Sequence, residues 1–108
     1  MPEARLKVIY HDLYLTNYPT ASCETPERVM SIMEVLRQHY SVIEPSAASE
    51  EDILLVHSQH ILRAVKMEPE VYMAAIVAAG GAILAAELAC QGEPTFAAVR
   101  PPGHHASP

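Results

Sequence analysis

Positive charge is scarce in this sequence. Seven Lys and Arg stand against thirteen Asp and Glu, a formal net charge of −6 over 108 residues. A nucleic-acid surface needs clustered cations to neutralise phosphates, so no nucleic-acid partner is expected. Cysteine is scarce too. Cys23 and Cys90 lie far apart, without a C-x-x-C pattern or a secretory leader, so reduced thiols in a cytoplasmic protein are expected. The glycine patterns of phosphate-binding loops are missing, which leaves nucleotide binding without support. There is no internal repeat and no low-complexity tract. Only two aspartates occur, Asp12 and Asp52.

What is present is apolar. Half of the residues are hydrophobic, which argues for a folded chain. A chain of this length is one domain at most, or a piece of one, and buries roughly two-thirds of its unfolded surface. From Val71 to Cys90 the only charge is Glu87, so the stretch is long enough to span a bilayer. It is mostly alanine, however, and no Lys or Arg stands near either end to orient it. A helix covered on both sides by a soluble core is expected instead, with no membrane partner.

The punctuation is legible. "LKVIY" at 6–10 reads as a first strand, and a polar loop follows through "HDLYLTNYPTASCE". Thr25 is placed to cap a helix opened by Pro26, with Val29, Met33, Leu36 and Tyr40 on one face. Arg28 sits awkwardly in that first turn, facing the positive end of the helix dipole. It either points into water, offset by Glu27, or is held there for a site. "SVIE" at 41–44 is a candidate second strand. Ser49 opens a capped helix, and Ser58 opens another through Lys66. Pro69 starts the long alanine-rich helix and Gly92 ends it. "TFAAV" at 95–99 reads as a third strand covered on both faces.

That alternation predicts a parallel sheet with helices packed on its faces. Ligands in such sheets bind beyond the carboxyl ends of the strands. "RPPGHH" sits directly there. Pro101 and Pro102 fix two φ angles and stop the strand, while Gly103 permits a bend or a close approach. His104 and His105 are then presented stiffly, as proton transfer requires, although a solvated loop has the same composition. His57 and His60, three apart on a helical stretch, raise a metal site, as does their convergence with His11.

The segment "AAVRPPGHHA", 97–106, closely resembles the signature of the zinc-dependent deacetylase superfamily, which includes histone deacetylases, acetylpolyamine amidohydrolases and acetoin utilisation proteins. "ETPERVMSIMEVL", "LLVHSQHIL" and "AAGGAILAAE" resemble further family segments, in the family's order. The resemblance implies a three-layer α/β fold, arginase/deacetylase-like, of which the chain holds about the first three strands. Residues 1–108 would be the incomplete N-terminal part of one such domain.

By the same resemblance, His104 and His105 are the paired catalytic histidines, the second acting mainly as general base. Arg28 matches the arginine of the active-site channel associated with acetate passage, and Gly103 and Pro102 belong to the channel wall. The family's cofactor is zinc, held by an Asp-x-His pair and a later Asp. Neither Asp12 nor Asp52 begins an Asp-x-His, so no metal ligand is assigned here, and those ligands are expected beyond Pro108. The implied substrate of the full-length protein is acetyl-lysine or an acetylated amine. The chain alone is expected to be inactive and to self-associate through uncovered edges. The alternative is a stand-alone binding or regulatory module that reuses half the fold.

Overall fold

The structure, a computed structural model, describes residues 6–20 and 23–102. Three strands, β1 (Lys7–Ile9), β2 (Ser41–Ile43) and β3 (Thr95–Ala97), form an all-parallel sheet in the order β2-β1-β3. Val8 is the common register point, opposite Val42 on one side and Phe96 on the other. Branched apolar residues suit a pleated, buried strand, and Val8 and Ile9 at the centre are fully buried. Each ladder is shorter than its apolar run. Tyr10 and Ala98 nevertheless extend the pairing by donating backbone N–H groups to Ile43 and Ile9.

The parallel pairs are joined through helices, as parallel strands require. Helix α1 (Pro26–Leu36) connects β1 to β2; α2 (Glu50–Leu54), α3 (Gln59–Lys66) and α4 (Pro69–Cys90) lead from β2 to β3. Ser49 and Ser58 cap α2 and α3, accepting from the amides of Asp52 (3.1 Å) and Ile61 (3.3 Å). The expected Thr25 side-chain cap is not made. The Arg28 amide that would donate to the hydroxyl goes to the Thr25 carbonyl instead. The last residues toward Tyr40 leave α1 because their bonds tighten to i−3 spacing at Gln38 and His39. Gly92, at φ +87°, closes α4; Gly92 donates to Ala89 and Glu93 to Leu88, the paired bonds of a left-handed helix stop.

Helix α4 differs from expectation. It is the one helix among the described residues long and apolar enough to cross a membrane, yet only 28% of its most apolar window is buried. It covers one stripe, Ala74, Val77, Ala78, Gly80 and Gly81, and leaves Met73 and Ile83 exposed. The glycine pair explains the stripe. A Cβ at Gly80 would lie 1.8 Å from the Ser46 carbonyl oxygen, and one at Gly81 would lie 2.6 Å from the Tyr14 hydroxyl. Only glycine lets the 46–48 backbone and a tyrosine lie this close to the helix. The third strand is likewise not covered on both faces, since Phe96 is 45% exposed.

The 11–24 stretch is not all loop either. Asp12–Leu15 form a 3₁₀ turn capped by His11, whose Nδ1 accepts from the Leu13 amide (3.0 Å). Tyr14 drops from this turn into the core beside Val8, Val29, Met33, Val77 and Ala98. Its hydroxyl donates to the Val77 carbonyl at 2.8 Å, so the buried phenol is satisfied.

Candidate active site

Beyond β3 the chain passes through Ala98 and Val99 to Arg100, which is only 4% exposed. Burying a cation is costly unless it is paired and hydrogen-bonded. Arg100 meets both conditions. Its Nε donates to Glu24 Oε1 as part of an ion pair. Its Nη1 donates to the carbonyls of Tyr14 (2.7 Å) and Thr16 (2.9 Å). The guanidinium carbon lies 4.4 Å from the centroid of the Tyr18 ring, a cation–π stack. Nη2 is buried and has no acceptor among the described residues.

Glu24 is held from several sides. Burial alone would raise its pKa. Hydrogen bonds from Arg100 and Thr20, the Arg100 charge, and a bond from Tyr18 outweigh that and place the carboxyl below the ordinary range. Tyr18 donates to Glu24 Oε2 at 3.2 Å and Thr20 at 3.0 Å. Burial pushes Tyr18 up to about 12, against the opposing pull of Arg100, and pushes Tyr14 up to about 12 as well.

A cavity of about 200 Å³ opens beside this corner, lined by Glu24, Thr25, Arg28, Val29, Arg100 and Pro102 among others. Arg28 is exposed in the first turn of α1, and its Nη1 donates back to the Cys23 carbonyl (3.2 Å). Arg28 and Pro102, assigned from separate segments, therefore share one cavity. On the other side of the proline turn lies an apolar groove of about 460 Å³ between α3 and α4, which Pro101, Pro102 and His57 also line. Gly103, His104 and His105 lie outside the described residues. His11, His57 and His60 do not converge: among the described residues no group of three or more His, Cys, Asp or Glu can hold a metal ion. The metal-carrier reading is thereby set aside.

Arg100, Glu24, Tyr14 and Tyr18 were not singled out from the sequence. A signal was present. Tyr10, at the end of the run read as a strand, is followed at four-residue intervals by Tyr14 and Tyr18 in the stretch read as polar loop, and all three are buried.

Residues 22–108 match the model of the histone deacetylase domain. The chain belongs to this family. It is 34% identical to a probable deacetylase of Archaeoglobus fulgidus over 94% of its own length and 35% of that protein's. It is 36% identical to a probable deacetylase of Methanothermobacter thermautotrophicus, over 60% of this chain and 24% of the relative. A polyamine deacetylase of Danio rerio is 29% identical over 94% of this chain and 18% of the relative. The deacetylase-family chain thus spans about a third, or less, of the relatives it matches. Its parallel sheet with surrounding helices is the fold expected of part of such a domain.

Proposed function

We propose that these 108 residues form the opening portion of a deacetylase domain. In the whole protein that domain removes acetyl groups from acetyl-lysine or acetylated amines. One observation carries the reading: Arg28 and Pro102, matched to the family through different segments, line the same cavity at the carboxyl end of the sheet. That edge is where ligands of parallel sheets bind.

In this reading the cavity is the product side of the site. The Arg28 guanidinium, exposed toward it, attracts the acetate released by amide cleavage. His104 and His105, which follow the prolines in sequence, serve in proton transfer, His105 as the main base, since a base must lie within hydrogen-bond reach of the proton it takes. The net charge of −6 favours the approach of cationic substrates, which suits acetylated polyamines and lysine-rich peptides.

The family implies zinc. The described residues do not fit that ion: they contain no ligand cluster, and the sequence contains no Asp-x-His. The chain by itself is therefore inactive in this reading. It also self-associates, because Met73, Ile83 and Phe96 leave apolar surface uncovered. Incubating the purified chain with zinc and acetylated peptide or acetylpolyamine tests the first point; sustained turnover or stoichiometric tight zinc overturns it. A clean monomer by light scattering at high concentration overturns the second. For the whole protein, His105→Ala in the longer polypeptide abolishes deacetylation, and retained activity sinks the assignment.

A further inference from the structure

One side chain ties together the two walls of the cavity. Arg100 stands two residues before Pro102 and four before His104, on the strand side. Through Nε it grips Glu24, on the helix side. Glu24 lies between Cys23, whose carbonyl accepts from Arg28 Nη1, and Thr25, whose carbonyl accepts from the Arg28 amide. Any shift of Glu24 therefore carries both backbone acceptors of Arg28. Any shift of Arg100 carries a chain whose next two residues have φ fixed by their rings. The fork geometry matters as well. Nε and Nη1 reach three acceptors from one rigid plane, which a lysine ammonium does not reproduce.

We propose that Arg100 is a positioning residue: through Glu24 it sets the placement of Arg28 relative to the Pro101–Pro102 turn. This rests on the reading of that turn as the proton-transfer site, but its test needs no turnover. Glu24→Gln keeps the size of the side chain and removes its charge; Arg100→Lys keeps the charge and removes the fork. Glu50→Gln, in the exposed cluster on α2, is the control.

The measurement is solution NMR of the 108-residue chain, following the Nε–H signals of Arg28 and Arg100 and the ring Cδ–H signals of Pro101 and Pro102. Solvent exchange of the Arg100 Nε–H is expected to accelerate by about tenfold or more in Glu24→Gln, since a buried charged bond is lost. The Arg28 signal and both proline signals are expected to move in Glu24→Gln and Arg100→Lys, and to stay in Glu50→Gln. If Arg100 loosens while Arg28 and the two prolines stay in place, the proposal fails. It also fails if Glu24→Gln loses its folded spectrum, because the pair is then a stability element and nothing more. Arg100→Lys is read only if it folds; Glu24→Gln alone decides otherwise. Failure of the catalytic reading shows separately, as activity surviving in His105→Ala.

Discussion

Two clusters in this molecule each combine a carboxylate, a cation and a phenol. At the buried corner, Glu24 pairs with Arg100, Tyr18 donates to Glu24, and the cation lies over the Tyr18 ring. On the helical rim, Glu50 pairs with Lys66 at 2.7 Å, Tyr72 donates to Glu50 at 2.9 Å, and the ammonium lies 5.8 Å from the Tyr72 ring centroid. The rim pair is nearly half exposed, whereas the Arg100 side chain is 5% exposed. Similar pairings therefore have different consequences. At the rim, water competes for every bond, and the charges need no partner to be stable. At the corner, each group depends on the others, because an unpartnered charge there has no solvent to turn to.

The sharpest way to break this contrast is truncation of each cation. Arg100→Ala leaves Glu24 and two carbonyls without their donor and is expected to cost about 3–5 kcal/mol in urea unfolding. Lys66→Ala is expected to fall within the error of the same measurement. Equal losses would erase the distinction. The second effect comes through α4. Gly81→Ala drives a methyl against Tyr14, whose carbonyl Arg100 holds, and should cost about 1–3 kcal/mol by overpacking.

The pH dependence sharpens the comparison further. Glu24 has a folded pKa below its ordinary value. Its contribution is fully present above the ordinary carboxylate pKa and is lost as pH falls through the depressed value. Glu24→Gln should therefore flatten the acid limb of a stability–pH curve. Glu50 is shifted in the same direction by Lys66 and then Tyr72, but in the open, so Glu50→Gln should flatten the limb less. On the alkaline side, Tyr14 and Tyr18 stay protonated up to about pH 12. Their phenols contribute stability below the ordinary tyrosine pKa and lose it as pH rises through the raised value. Absorbance titration near 295 nm should show a late component that shrinks in Tyr14→Phe and disappears only when Tyr18 is replaced as well. The smallest effect is salt. With a Debye length of about 10 Å at 0.1 M, added NaCl should weaken the rim pair and leave the Arg100 corner unaltered.

Much of the scaffold was legible because its cues are local. Ser49 and Ser58 cap as their spacing implies, Gly92 stops α4, and β-branched runs form the strands. Arg28 and Pro102, named from separate segments, line one cavity. Thr25 was misjudged locally, because the Arg28 amide takes its carbonyl rather than its hydroxyl. The covering of α4, the covering of β3 and the 11–24 stretch were misjudged because each depends on what lies across the fold. The tyrosines at four-residue intervals carried the missed signal, hidden by the polar residues between them.

By itself, the sequence determined the alternation of strand and helix, the helix ends, the family signature and the acidic balance, since each is written in neighbouring residues. Only the tertiary structure decided that Arg100 is buried, that Glu24 is its partner, and that α4 needs its glycines. Those facts arise where segments far apart in the chain exclude water together, and no local pattern specifies which distant group will stand opposite.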